Sequence, residues 1–370
     1  MNDLRGGGPV ERVDVSAYRI PTDRPESDGT FTWDHTICVV AEVTGGGRRG
    51  LGYTYAPAAV GRLIRDTLAP AVEGVDAFAV SAAHDRMVRA VRNAGAPGIA
   101  SCAIAAVDTA LWDLKARLLD LPLVRLLGPV RDAIPVYGSG GFTSYAIAEL
   151  KEQLAGWRDD GIGMVKMKVG REPAEDARRV EAAREAVGPG VGLFVDANGA
   201  YARKQALALA EAFARLDVRW FEEPVSSDDL EGLRLLRDRG PAGMDIAAGE
   251  YGYDLVYFRR MLDASAVDVL QADATRCRGI TGFVRAAALC GARAIPLSSH
   301  TAPSIHVHAC CALTPARHLE YFHDHVRVEA LLFDGAPRPR AGALAPDLSR
   351  PGLGLELKRA DAARFAVAGV

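Results

Sequence analysis

Two rhythms of apolar and polar residues divide this chain. VERVDVSAYRI, starting at Val10, alternates in the manner of a half-buried strand. The alternation of Ile37–Val43, broken by Gly45–Gly47 and resumed over Gly50–Tyr55, predicts a β-hairpin. Together they open the chain with an antiparallel meander. Between them Pro21–Thr30 is rich in Pro, Asp, Ser and Gly, which predicts a mobile lid loop. From Ala58 to Leu127 the spacing turns helical, in runs such as VSAAHDRMVRAVRNA and IASCAIAAVDTALWDLKARLLD. Gly128 and Pro129 stop the last run, so a domain boundary falls near residue 130.

Beyond that boundary short apolar runs alternate with helical stretches: IPVYGSG, MVKMKVG, GLFVDANG, VRWFEEPV, DIAAGE, VDVLQADAT, ARAIPLSSH and HLEYFHD. Each is followed by room for one helix, which makes a train of βα units and an α/β fold. A TIM-type (β/α)-barrel over 131–345 fits this train, with an α+β cap over 1–130 and a tail, 346–370, packing back on the cap. The rhythm alone also allows an open, doubly wound sheet.

Composition narrows the class without choosing the function. With 49% hydrophobic and 25% charged residues, the 370-residue chain can bury a full core. Its 44 basic and 47 acidic side chains leave a net charge of −3, so no basic surplus draws it to nucleic acid. No apolar stretch is long enough for a membrane span, and the first residues lack the apolar core of a leader. Six cysteines without a CxxC pair suit a reducing compartment, so a cytoplasmic location is expected.

Chemistry gathers where the strands end. In a parallel barrel those C-terminal ends form the active mouth, and here they carry Ser139, Lys166 with Lys168, Asp196 with Asn198, Glu222 with Glu223, Glu250, Asp273, His300 and Glu320. Any one of these could be a solvated charge. Asp196, Glu222 and Glu250 close three consecutive units, however, and three carboxylates at close quarters repel unless an oxygen-seeking cation joins them. Mg²⁺ suits such an incomplete oxygen cage. Lys166 and Lys168, two apart on a strand, share a face, and each, with a nearby metal adding to the effect, is expected to depress the other's pKa until a lysine can act as a base. Asp273 and His300 close neighbouring units, so the carboxylate would orient the imidazole as a second acid/base.

These residues resemble a known family. KMK at 166–168, FVDANG at 194–199, WFEEP at 220–224, AGE at 248–250, LQAD at 270–273, SSH at 298–300 and LE at 319–320 are similar, in order and spacing, to the mandelate racemase subgroup of the enolase superfamily. The resemblance implies a (β/α)7β barrel under an α+β cap. It implies Asp196, Glu222 and Glu250 as Mg²⁺ ligands, Lys168 and the His300–Asp273 pair as opposed bases, and Lys166 as the residue that tunes Lys168. Glu320, expected in its protonated form, would bind the substrate carboxylate, and Ser139 and Asn198 would contact substrate. The partner is then a small carboxylate, with no nucleic acid or membrane, and barrel enzymes of this kind are commonly homo-oligomers.

Two opposed acid/base groups can racemise a 2-hydroxy acid or dehydrate one that carries a β-hydroxyl. Thr22, Asp23, Arg24, Glu26, Ser27 and Asp28 of the expected lid offer hydrogen bonds to a polyhydroxylated chain, with Asp23 and Arg24 as substrate contacts. That favours an acid-sugar dehydratase, with a racemase or epimerase as runner-up. A Schiff-base aldolase barrel would need one buried lysine and no metal, which leaves the acidic trio unexplained. The pairs His306/His308 and His323/His325 have the spacing to suggest zinc, but the first lies in an expected helix, where i and i+2 diverge, and a zinc site is not expected there. The neighbouring Cys310 and Cys311 read as core, and Arg276 and Arg278 either steer an anion or pair with carboxylates.

Overall fold

The structure is a computed structural model, and it describes residues 7–370. The cap begins as predicted, with β1 (Val10–Ser27), β2 (Thr32–Gly45) and β3 (Arg48–Tyr55) antiparallel in that order. One face of this sheet, including Val13, Val39, Ala41 and Val43, shares a core with the helix Ile99–Leu118. That helix is rich in alanine and β3 carries Gly50 and Gly52 because the two backbones lie unusually close. A Cβ on Gly52 would sit 2.2 Å from the Ala106 carbonyl oxygen, closer than any side chain allows.

The predicted mobile lid is instead a docked strap. β1 continues through it, and its pairing passes from Pro21 opposite His35 to Glu26 opposite Trp33, leaving residues 22–25 as a bulge. The bulge is tied to the barrel: Arg24 pairs with Glu149 at 2.8 Å, Ser144 Oγ donates to the Pro25 carbonyl at 2.8 Å, and Arg327 donates to the Pro21 carbonyl at 2.7 Å. Thr143 N donates to the Ser27 carbonyl at 2.8 Å. Polar residues that read locally as a solvated loop are therefore used in contacts more than a hundred residues away in sequence.

Eight parallel strands follow: β4 (Ile134–Gly140), β5 (Met164–Lys168), β6 (Gly192–Asp196), β7 (Val218–Glu222), β8 (Asp245–Ala248), β9 (Val269–Ala272), β10 (Leu297–Ser299) and β11 (Ala316–Phe322). β11 pairs with β4, placing Glu320 opposite Tyr137, so the sheet closes and the open-sheet alternative is excluded. Helices join each strand to the next, and a further helix, His323–Leu332, follows β11.

Strand alternation stacks the barrel interior in layers. Tyr137, Phe194 and Trp220 fill the barrel with a small core of their own, the last two stacked at 5.4 Å. Two residues further along the same strands, Ser139, Asp196 and Glu222 lie on the same inward face, at the mouth. The apolar layer thus seals the floor on which the charged layer stands.

The tail returns to the cap, where Val367 N donates to the Ala17 carbonyl at 2.8 Å and Arg359 pairs with Glu42 at 2.5 Å. All six cysteines are free and buried, and among the described residues no helix is long and apolar enough to cross a membrane.

Cap and barrel are latched by a buried carboxylate. Glu329 accepts from Tyr53 OH at 2.6 Å on the cap side, and from Ser304 Oγ at 2.5 Å and Ser304 N at 3.1 Å on the barrel side. Burial outweighs these donors and pushes its carboxyl up to about 7. The folded chain then holds a proton that the unfolded chain releases near 4.5. This group's stabilisation is complete below that value and is lost as pH rises through about 7. Glu329→Gln, which cannot ionise, is expected to show a shallower fall of melting temperature between pH 5 and 8 than the natural chain; parallel curves would contradict this.

Candidate active site

Strand register brings the predicted residues together. Lys168 lies opposite Asp196 on β5 and β6, and Asp196 opposite Glu222 on β6 and β7. Glu250 follows β8 through Gly249, whose φ of +139° and a would-be Cβ 2.1 Å from the Gln271 carbonyl oxygen admit only glycine. Asp196, Glu222 and Glu250 are all buried, and one oxygen from each lies within 4.8 Å of the others. Glu250 Oε2 has no hydrogen-bond partner among the described residues. An all-oxygen donor set with one buried oxygen that accepts no hydrogen bond and only faces His300 Nε2 at 3.5 Å fits a hard divalent ion.

The lysines answer the carboxylates rather than each other. Lys168 Nζ donates to Asp196 Oδ2 at 2.5 Å. Lys166 Nζ donates to both oxygens of Glu222 at 2.7 Å, and pairs with Glu320 at 2.8 Å. Burial alone would depress both ammonium groups, but Asp196 beside Lys168, and Glu222 and Glu320 beside Lys166, outweigh it and hold both above the ordinary lysine value. The like charge of the other lysine alone therefore does not lower Lys168, because each amine faces an acid at hydrogen-bonding distance; the metal's share of the expected lowering comes only with the ion bound. The same pairing corrects the expectation for Glu320. Burial would raise it, yet Lys166 holds it well below the usual carboxylate range. It is an acceptor, taking hydrogen bonds from Ser139 Oγ at 2.6 Å and Thr301 N at 2.8 Å. Ser139 therefore orients Glu320. Burial and the neighbouring Asp196 push Glu222 the other way, up to about 8.

Across the mouth Asp273 Oδ2 stands 2.9 Å from His300 Nδ1. Burial would raise Asp273, but its bond to His300 keeps it ionised, so Nδ1–H donates and Nε2 is left for chemistry. Burial would lower His300, and Glu250 with Asp273 raises it instead. Arg276 pairs with Glu250 at 3.2 Å and reaches Asp273 at 3.7 Å, while Arg278 pairs with Asp254 at 3.1 Å. The two arginines belong to carboxylates.

Lys168, Asn198, Glu250 and His300 line one cavity of about 610 Å³. Asn198, held in a left-handed turn at φ +47°, has its side-chain oxygen without a partner among the described residues. Asp23 and Arg24 are not brought there: Arg24 pairs with Glu149, and Asp23 lies 3.1 Å from His323. The outer wall comes instead from Thr30, Trp33, His35 and Thr36 of the cap and from Asp324 and His325 after β11. Sequence spacing gave no signal for these, since they reach the mouth only through the docking of the strap.

His306 was also missed as a site residue. Its Nε2 accepts from Ala274 N at 2.8 Å, so Nδ1 carries the proton and donates to the Thr301 carbonyl at 2.8 Å. One neutral ring thereby pins the backbones that follow both Asp273 and His300. His308, by contrast, turns to Val124 N and the Leu353 carbonyl, so the two rings face different partners.

With this geometry in place, comparison with known proteins decides the relationship. Residues 149–362 match the family described as enolase C-terminal domain-like, and residues 13–128 the mandelate racemase / muconate lactonizing enzyme N-terminal domain. The chain belongs to the mandelate racemase family of the enolase superfamily. A mandelate racemase/muconate lactonizing enzyme-like protein from Rubrobacter xylanophilus superposes with a TM-score of 0.95 at 58% identity, over 97% of this chain and 99% of that one. The 3,6-anhydro-alpha-L-galactonate cycloisomerase of Streptomyces coelicolor is 34% identical over 97% of this chain and 99% of its own length. The L-talarate/galactarate dehydratase of Salmonella typhimurium is 32% identical over 85% of this chain and 82% of its own. A structure of that dehydratase liganded with Mg and L-lyxarohydroxamate has a TM-score of 0.89 at 29% identity, over 99% of this chain and 95% of that one. This mandelate racemase family member is accordingly an enzyme, and Mg²⁺ is its cofactor.

His306→Ala would leave two buried backbone groups unpaired, at about 1–3 kcal/mol each. It should lower both melting temperature and kcat. His308→Ala should lower melting temperature alone, and equal kcat losses in the two variants would contradict the positioning role.

Proposed function

We propose that this enzyme dehydrates a sugar acid to a 2-keto-3-deoxy acid by removing the proton α to the carboxylate. The observation that carries the reading is that Lys168 and His300, on strands separated by β4 and β11, line one cavity together with Glu250. Asp196, Glu222 and Glu250 would hold Mg²⁺, which when bound supplies a Lewis acid that lowers the cost of charge developing on the substrate carboxylate.

The chain's own residues then do the proton chemistry. One of Lys168 and His300, in the unprotonated form that Lys168 would reach once Asp196 turns to the ion, takes the C2 proton, and the electron pair left behind expels the C3 hydroxyl. The other group protonates that hydroxyl, so it leaves as water, and the resulting enol becomes the keto acid. Lys166 places an ammonium between Glu222 and Glu320, where it meets the negative charge that builds as the proton departs. Asp273 fixes the tautomer of His300, and Ser139 and Thr301 N fix Glu320. Asn198, His35, Thr36 and His325 offer hydrogen bonds to the hydroxylated chain, in place of the Asp23 and Arg24 expected from sequence. Relatives named as talarate/galactarate, arabinonate and rhamnonate dehydratases support this substrate class.

The relative named as an anhydrogalactonate cycloisomerase favours a second reading. If the β-oxygen is part of a ring, the same proton abstraction opens the ring, and no water is lost.

A panel of mono- and diacid sugars and their anhydro forms, assayed with Mg²⁺ for 2-keto acid, tests the proposal. Turnover is expected to fall by at least about 10³-fold in both Lys168→Ala and His300→Ala. Exchange of the α-hydrogen in D₂O without keto acid would reassign the enzyme as an epimerase, and full activity in either variant would refute the assignment of bases.

A further inference from the structure

We propose that Asp23, Glu26 and His323 form a second divalent-cation site, separate from the acidic trio, which fastens the strap to the barrel. Asp23 lies in the bulge of β1 and Glu26 resumes the pairing just after it, and His323 is the first residue of the helix that follows β11. One ligand atom from each lies within 4.8 Å of the others. A carboxylate pair and an imidazole therefore converge from two domains.

Glu26 supplies the independent observation. Its residue is 0% exposed. Oε2 accepts from Trp33 Nε1 at 2.7 Å, and Oε1 has no partner among the described residues. A buried carboxylate with one oxygen unsatisfied is costly, and Arg327, the positive group that acts on it, is already engaged: it donates to the Pro21 carbonyl at 2.7 Å and to Asp324 at 2.6 Å. Burial, with Asp324 adding to it, pushes the Glu26 carboxyl up to about 8. Asp23 Oδ2 stands 3.1 Å from His323 Nε2. A cation entering here would satisfy the partnerless Glu26 oxygen and take an imidazole lone pair.

The donor set names the ion class. Mg²⁺ prefers oxygen ligands and retains its water, whereas one imidazole and two carboxylates suit a borderline ion such as Zn²⁺ or Co²⁺. The site lies behind the outer wall of the cavity, because Glu26 holds Trp33, and Trp33 both lines that cavity and packs edge-on against Phe142 at 5.5 Å. An ion here would fix the wall that faces the far end of the substrate. The proposal does not depend on which acid is dehydrated.

The full chain, kept in excess Mg²⁺ to fill the acidic trio, is titrated with Co²⁺ and read by visible absorption and by equilibrium dialysis. One equivalent of Co²⁺ is expected that Mg²⁺ does not displace, with ligand-field bands of an imidazole-containing site. Asp23→Asn, Glu26→Gln and His323→Gln should each weaken it by about 10–100-fold, while circular dichroism confirms folding. Absence of that equivalent, or its retention unchanged in Asp23→Asn and His323→Gln, would overturn the site. Dehydration measured with Mg²⁺ alone reports separately on the catalytic reading.

Discussion

A buried excess of negative charge governs this molecule. Asp196, Glu222, Glu223, Glu250, Asp273 and Glu320 are all buried at one end of the barrel, where Lys166, Lys168, Arg276 and His300 are too few to neutralise them all. Ionised groups in such surroundings persist only when paired, and their mutual repulsion is strong because little water screens it. The consequences are visible in the opposite displacements of neighbouring acids: Glu320 is held low by Lys166, while Glu222 is pushed up by burial and by Asp196. Glu223, with one buried oxygen unpaired among the described residues, adds to the imbalance. A divalent ion relieves that imbalance, and the same relief is what lets new negative charge form on a substrate carboxylate.

The fold makes this arrangement tolerable. The aromatic layer of Tyr137, Phe194 and Trp220 closes the barrel beneath the charges, and Trp220 Nε1 donates to Glu222 Oε2 at 2.9 Å from that floor. The cap closes the other side. Its strap is sewn to the barrel by hydrogen bonds and its β3 by Glu329, so the outer wall of the cavity is a cross-domain construction whose residues have no local reason to be near the mouth. His306 extends the same logic inside the barrel, with one ring tying two catalytic turns.

What could be read from sequence follows the range of the interactions involved. The strand-end residues were legible because strand alternation and a closed parallel barrel fix where such positions go, and Asp196, Glu222 and Glu250 converge as expected. Charge states were not legible. Lys166 and Lys168 sit on one face, which suggested repulsion, but their partners lie on other strands, and a hydrogen bond of 2.5 Å to Asp196 outweighs a like charge further away. The strap failed for a related reason: Pro21, Asp23 and Arg24 look solvated until Arg327, His323 and Glu149, all distant in sequence, are placed beside them.

The most direct test of the charge-balance account needs no substrate. Crystals of the natural chain grown or soaked with Mn²⁺ in place of Mg²⁺ and measured at a wavelength where manganese scatters anomalously should show a peak enclosed by Asp196, Glu222 and Glu250. An empty space at that point, with Lys166 still on Glu222 and Lys168 still on Asp196, would show that the lysines alone balance the acids, and the account would be wrong.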